Sequence, residues 1–491
     1  MLANTCSVRA SNMKILMLGW EYPPHIAGGL GTACQGLTGA LSQRGVSIRF
    51  VVPQLFGDEQ APHMVLSTPE ARDSLAESSD HRGALSWIAS DKCPHEAESS
   101  SAGTTRIPAF LSPYWSPQGF KEAVAIFAER YSGPLGQGQS ANSSVDTSKI
   151  SETSAAKESS AELRVGDSQS KEVPEQSLYP IGSTIFREVE RFTSAVIATF
   201  AAQTFDIIHA HDWMTFPAGV ALSQLTGKPL VVHVHSLEQD RSGLFVDKDI
   251  EKIERLGLET ASRIIAVSHY TRRAIERFHG ISAAKIRVVH NGVYPRQAIQ
   301  NYQIRKTWPR NVVLFLGRVT FQKGPDYFVE VAARVIPQVP GVLFVLAGAG
   351  DMLPAVKKQV EDLGLNEYFM FPGFVNGEEL EEMFSVADLY VMPSVSEPFG
   401  ITALEAISFD TPVIISKQSG VSEVLEHALK VDFWDLDKMA QLIVRVLLDQ
   451  KLRAEVVQAA KEEVKHLHWD AAAAKTIEVY EDLLAEELAG A

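Results

Sequence analysis

KILMLGWEYPPHIAGGLGTACQGLTGALSQRGVSIRFVV, residues 14–52, decides the fold. KILMLG (14–19) is a short apolar run of the kind that forms a strand buried on both faces. AGGLG (27–31) follows as a Gly-rich turn and leads into an apolar-periodic helix over about 30–44. VSIRFVV (46–52) is the next strand. Strand, Gly-rich loop, helix and strand in this order are how a doubly wound parallel sheet begins.

Downstream, FDIIHAH (205–211), PLVVHVH (229–235), RIIAVS (263–268) and IRVVHN (286–291) extend the same sheet, after a helix at about 184–203. YPRQAIQNYQIRKTWPR (294–310) reads as a linker. A second series then starts: NVVLFLG (311–317), GVLFVLAG (341–348), YFMFPG (368–373), DLYVMP (388–393) and TPVIIS (411–416). Helices are expected between them at about 324–337, 351–363, 376–386 and 399–409, with a helical tail over roughly 435–488. The expectation is an α/β chain of two doubly wound Rossmann-like domains, with a ligand cleft between them at the C-terminal ends of both sets of strands.

The pattern dissolves between about 57 and 176. No aromatic residue lies between Tyr131 and Tyr179, and Ser, Glu, Gln and Lys dominate there. Such a stretch buries too little apolar surface to offset its chain entropy. Residues 132–176 are therefore read as a disordered insertion and 57–131 as partly ordered loop. Residues 1–12 lack the apolar core of a signal peptide and read as a disordered extension, with Met1 and Met13 as alternative starts. The domains expected are 13–295, a linker at 296–310, 311–470, and a final helix at 471–491.

The 491 residues carry a formal charge of −15, which argues against broad nucleic-acid binding. An anionic ligand then needs a locally basic cleft. No run of about 20 apolar residues exists, so no membrane span is expected. Cys6, Cys34 and Cys93 are far apart and form no CxxC pair, which fits a reducing cytoplasm. Oligomeric state leaves no mark in the sequence.

Four constellations carry chemistry. SEPFGITALEAISFDTPVI (396–414) sets Glu397 and Glu405 eight positions apart around a Pro-Phe-Gly turn that opens a helix. Helix-start amides are a ready seat for phosphate, and a carboxylate inside the helix reaches a sugar hydroxyl. Solvated glutamates, or the acid and nucleophile of a glycosidase, are the alternatives. LGRVTFQKG (316–324) puts Arg318 and Lys323 at a strand end, where two cations suit a diphosphate; a surface pair is the bland alternative. A hydrolase needs no such clamp. HAHDW (209–213) and HVHS (233–236) bring four histidines to two adjacent strand ends. They read as a metal site, as buried hydrogen-bonded histidines, or as one residue, His235, bonding a substrate hydroxyl. Gly28-Gly29 lets backbone approach a ligand or merely makes a turn. KQSGVSEV (417–424) either lines a sugar pocket or only closes the fold.

GWEYPPHIAGGLGTA, HAHDWMTFPAG, VVHVHSLEQDRSG, AVSHYTRRAI, VVHNGV, GRVTFQKG, LAGAGD and EPFGITALEAI occur in this order. As a set they resemble the retaining glycosyltransferases of family 4, in the glycogen/starch-synthase-like branch, across nearly everything outside 1–12 and 57–176. The resemblance implies the two-domain GT-B fold, with a final helix that crosses back to the first domain. It implies transfer of a hexose, above all glucose, from ADP- or UDP-glucose to an α-glucan with retention, without cofactor or bound metal. The alternative is a family-4 enzyme with a lipid, another glycan or a small molecule as acceptor. Carried over by motif, Arg318 and Lys323 hold the diphosphate with the amides of Gly400, Ile401 and Thr402. Glu405 binds the ribose, Glu397 lies against the donor sugar, and His235 sits near the reacting carbon. Gly28 and Gly29 approach the phosphates, Gly373 to Val375 edge the base slot, and His211 and Asp212 are the acceptor-side candidates. Ile26 stands where the KTGGL-type loop of glycogen synthases carries Lys.

Overall fold

The computed structural model describes residues 13–25, 28–69, 183–294, 311–375 and 377–490. The extension 1–12, most of the insertion, Ile26 and the linker at 296–310 lie outside the described residues.

The N-terminal lobe is a seven-stranded sheet: β1 (Lys14–Leu18), β2 (Ser47–Val51), β3 (Val65–Ser67), β4 (Ile207–His211), β5 (Leu230–Val234), β6 (Arg263–Ala266) and β7 (Ile286–Val288). Its order is β3-β2-β1-β4-β5-β6-β7, parallel throughout. Strands β4 and β5 are buried at every position, which is why they read as unbroken apolar runs rather than alternating ones. The C-terminal lobe repeats the scheme with β8 (Val312–Leu316), β9 (Leu343–Ala347), β10 (Phe369–Gly373), β11 (Leu389–Met392), β12 (Val413–Ser416) and β13 (Leu429–Val431), in the order β10-β9-β8-β11-β12-β13. Both orders reverse direction beside the first strand, so each lobe has its crevice at the ends of its central strands. Every strand expected from sequence forms. The short strands β3 and β13 come as additions, one on the outer edge of each sheet. Residues 57–69, expected as partly ordered loop, contain β3.

Helices cover both faces of each sheet, giving two hydrophobic layers per lobe. The helical tail divides into Leu436–Leu448, Gln450–Val464 and Trp469–Gly490. The last of these packs on the helix Gly29–Gln43 of the N-terminal lobe and adds Trp469, Ala473, Tyr480 and Leu483 to its core. Gly36 makes room for it: a Cβ there would fall 2.1 Å from Trp469 Cε2. The two passages of chain between lobes run together. Val293 N–H donates to Leu467 C=O at 2.8 Å, and Val293 forms a parallel bridge with His468. A Cβ on Gly292 would sit 2.4 Å from His468 backbone carbon, so only glycine allows this approach.

Candidate functional site

Past the end of β8 the chain turns through Arg318 and the 3₁₀ segment Phe321–Lys323. The turn is tight because Gly317 at φ 154° and Gly348 at φ 142° stack backbone on backbone; a Cβ on Gly348 would lie 1.9 Å from Gly317 O. Arg318 is accessible to solvent yet ringed by protein, as on a cleft wall. Its Nη2 donates to Gln322 Oε1 (3.2 Å), and among the described residues no carboxylate forms an ion pair with it. Crowding by protein and the nearby Arg241 guanidinium work against its charge, while Glu21, Glu397 and Asp212 favour it; the net shift is downward from the ordinary arginine value.

Lys323 and Glu397, 74 positions apart in sequence, form an ion pair: Nζ lies 2.6 Å from Glu397 Oε2. Ser394 Oγ donates to the same oxygen at 3.1 Å. Glu397 is only 5% exposed, and its backbone is held between Gln418 O and Gly420 N. The stretch 417–424 therefore holds the backbone of Glu397 from both sides. The Pro-Phe-Gly turn then reaches Gly400, whose φ of 108° suits glycine. The helix it starts is Ile401–Ser408, shorter than the expected 399–409, and Glu405 sits about one turn in. Ile401 and Glu405 share a helix face at i, i+4. Gly373 ends β10 at φ 85° and accepts Gly348 N–H at 2.7 Å, with half-buried Val375 beyond it. Arg318, Lys323, Glu397 and the Gly400–Thr402 helix start thus all belong to the ends of strands β8 and β11.

Across the cleft, Gly28 faces Arg318: a Cβ on Gly28 would lie 3.6 Å from Arg318 Nε. Gly29 opens the helix Gly29–Gln43 and has free space beside its Cα. The helix start already holds a protein anion, since Gly31 N–H donates to buried Glu21 Oε1 at 3.0 Å. Arg241 points into the same region. It bonds Glu254 Oε1 (2.8 Å), Glu238 Oε2 (3.1 Å) and Ser236 O (3.1 Å). Its desolvation is outweighed by Glu254, Asp212 and Glu238, which hold its pKa above the ordinary arginine value. Neither Glu21 nor Arg241 was singled out from sequence, because each is defined by partners on other elements.

The four histidines stack at the ends of β4 and β5. Ring centroids lie 4.3 Å apart for His209–His211 and for His233–His235, and 5.3 Å for His211–His235. His211 Nδ1 is 3.0 Å from His235 Nε2, and His209 Nδ1 is 2.6 Å from Tyr480 Oη. Burial drives all four toward the neutral form, His209 and His235 to about 3 and His211 and His233 well below their usual range. Asp212, at φ 60°, folds back so that Oδ1 accepts His235 N–H (2.7 Å) and Ser236 N–H (3.4 Å). Desolvation raises it to about 6 against the pull of Arg241, the two amides and Arg318. Asp212 thus fixes the turn that carries His235 at the rim of the stack. Of the four histidines, only His235 is partly open to solvent.

Three sets of described residues bring three potential metal-ligand atoms together: Cys34, His211 and His235; His209, His211 and His233; and His25, Asp58 and Glu59. In the histidine sets the ring planes are within about 30° of parallel. In each of the three sets the candidate ligand atoms all lie within 4.8 Å of one another. Among the described residues no helix is long and apolar enough to cross a membrane.

Two parallel-sheet lobes meeting at the ends of their central strands, with cations, a helix start and carboxylates on one wall, define a group-transfer enzyme of the GT-B class. The chain belongs to the glycosyltransferases, in the group 1 and family 4 lineage. The profile of glycosyl transferases group 1 matches residues 299–463, that of glycosyltransferase family 4 residues 157–297, and that of the starch synthase catalytic domain residues 14–92. The glycosyltransferase MJ1607 of Methanocaldococcus jannaschii is 33% identical over 308 residues, 58% of this chain and 77% of that one. A D-inositol 3-phosphate glycosyltransferase of Acidothermus cellulolyticus is 30% identical, covering 60% and 72% of the two chains. A glycogen synthase of Mycobacterium tuberculosis is 26% identical, covering 56% and 68%. Among solved structures, a sucrose-phosphate synthase from Thermosynechococcus elongatus superposes with a TM-score of 0.65 at 20% identity, covering 97% of this chain and all of that one. Anabaena HepE, solved with UDP-glucose, superposes with a TM-score of 0.56 at 16% identity, covering 98% of this chain and all of that one.

Proposed function

We propose that this glycosyltransferase moves glucose from ADP- or UDP-glucose to an α-glucan, with retention at the anomeric carbon. The carrying observation is the single wall formed by Arg318, Lys323, Glu397 and the Gly400–Thr402 helix start, facing Gly28 of the other lobe. Arg318 lacks a carboxylate partner among the described residues, and Lys323 has one in Glu397 that an incoming diphosphate would share. Fixed cations and helix amides stabilise the charge that grows on a leaving diphosphate without having to reorganise. In the proposed step, an acceptor hydroxyl oxygen bonds to the anomeric carbon as the bond from that carbon to the diphosphate oxygen breaks. Attack comes from the departing side, and the hydroxyl proton passes to the leaving phosphate. Glu405 would hold the ribose, Gly373 to Val375 the base, and Glu397 the donor sugar. His235, neutral at the rim of its stack, would offer hydrogen bonding to the sugar near the reacting carbon, with His211 and Asp212 behind it on the acceptor side.

A small phosphorylated acceptor is the second reading, favoured by the 30% identity to a D-inositol 3-phosphate glycosyltransferase. The purified protein should be offered nucleoside diphosphate sugars with glycogen or with inositol phosphate, and the first product analysed by NMR. An α-linked glucose on glycogen supports the main reading, and extension of inositol phosphate alone selects the second. An inverted anomer overturns the mechanism.

A further inference from the structure

Ser396 stands immediately before Glu397 and belongs to the C-terminal lobe, yet its hydroxyl is held from the N-terminal lobe. Ser396 Oγ donates to Asp240 Oδ1 at 2.6 Å and lies 2.9 Å from Tyr270 Oη. A serine hydroxyl has one proton. With that proton on Asp240, Tyr270 is the donor in the second bond, so the order runs Tyr270 O–H, Ser396 O–H, Asp240 carboxylate. Asp240 is itself fixed, its Oδ2 accepting Leu237 N–H at 2.8 Å at the start of the helix Glu238–Ser242. Tyr270 sits in the first turn of the helix His269–His279. Two helices of one lobe therefore grip one hydroxyl of the other.

The grip reaches the site through backbone. Val395 N–H and Ser396 N–H both donate to Gln322 O, at 3.0 and 3.3 Å. Gln322 precedes Lys323 and bonds Arg318 through its side chain. The turn carrying both cations and the segment carrying Glu397 are thus joined at Ser396, where the opposite lobe takes hold. Asp240 is 5% exposed, so its bond to Ser396 is shielded from competing water.

We infer that Ser396, held by Asp240 and Tyr270, is a positioning residue that couples closure of the two lobes to the placement of Glu397 and Lys323. When the lobes part, the hydroxyl loses both partners and the segment 394–397 is released at one end. When they close, the segment is drawn into register. This rests on the reading of Glu397 and Lys323 as donor-site residues.

The experiment compares Ser396→Ala, Ser396→Thr and Tyr270→Phe with the wild type, using the donor sugar that the wild type turns over. Loss of the grip should lower kcat on the order of tenfold for Ser396→Ala while leaving the donor KM within about twofold, since closure and not first encounter is impaired. Threonine keeps the hydroxyl and should recover most of that loss; Tyr270→Phe should fall between. Equal kcat for Ser396→Ala and wild type overturns the inference and leaves the donor-site reading standing. A rise in KM alone, or a threonine variant no better than alanine, also overturns it. A wild type that turns over no nucleoside diphosphate sugar defeats the underlying reading instead.

Discussion

Glu423 of the C-terminal lobe caps a helix of the N-terminal lobe: His269 N–H donates to Glu423 Oε2 at 2.8 Å. Arg273 Nη2 reaches Oε1 of the same carboxylate at 3.2 Å, and His290 Nε2 lies 3.4 Å from Oε2. Beside it, Ser268 Oγ donates to Pro398 O at 2.6 Å. Partial burial of Glu423 opposes its charge, but His290, the His269 amide and Arg273 together hold its pKa below the usual glutamate value. A helix start, with unpaired amides and positive potential, is here satisfied by the neighbouring lobe.

Replacing Glu423 by alanine should therefore loosen the lobes rather than unfold either one. The loss of a helix cap costs about 0.5–2 kcal/mol. A lower first thermal transition with an unchanged final one is the expected result, read by differential scanning calorimetry. A single unshifted transition would show that the capping bond contributes nothing to docking.

Arg318→Ala and Lys323→Ala should each reduce turnover on the order of 10²–10³-fold if both cations meet the leaving group. Their effects on stability should differ. Removing Lys323 leaves the carboxylate of buried Glu397 without its cation, so this variant should also melt at lower temperature. Removing Arg318, which is accessible and has no carboxylate partner among the described residues, should leave Tm nearly unchanged. Steady-state kinetics and thermal melts on the two variants separate the roles, and near-wild-type turnover in both would remove the diphosphate assignment.

The stacked histidines set an acid limit. Their folded-state pKa values lie far below the ordinary 6.5, at about 3 for His209 and His235. Between about pH 6.5 and 3 the unfolded chain binds protons that the folded stack refuses, so stability is complete above 6.5 and declines as pH falls. Asp212, raised to about 6, pulls the other way over part of this window, but it is one group against four. Tm should drop by more than about 3 °C from pH 7.5 to pH 5. His233→Leu removes a ring whose two nitrogens have no hydrogen-bond partner, and it should flatten that dependence. Equal slopes for variant and wild type would show that the stack is not its source.

Gly348→Ala should cost more than about 2 kcal/mol, because both its backbone conformation and its 1.9 Å approach to Gly317 O exclude a side chain. Denaturant titration of the variant checks this. The loss should appear in the C-terminal lobe, with the turn that carries Arg318 displaced.

Much of this could be read from the chain before any coordinates. Strands such as β4, β5, β8 and β9 are fully or almost fully buried, so hydrophobicity alone outlines them. The three-residue edge strands VLS and LKV carry no such run, and only pairing to a neighbour makes them strands. The cations and glutamates of the site were legible as residue types at strand ends. The ion pair of Lys323 with Glu397 was not, since it joins points 74 positions apart. Glu21 on the Gly31 amide, Asp212 behind His235 and Asp240 on Ser396 were equally hidden. Each depends on how elements meet, and local pattern holds no record of that.

The bond between Val293 and Leu467, with Gly292 pressed on His468, has a mechanical consequence. Two cords of polypeptide cross from one half of the enzyme to the other, and among the described residues they are lashed together at Val293. A lashing of that kind would favour swinging of the halves, like pages about a spine, over sliding of one past the other. The widest gape would then fall at the rim farthest from the spine.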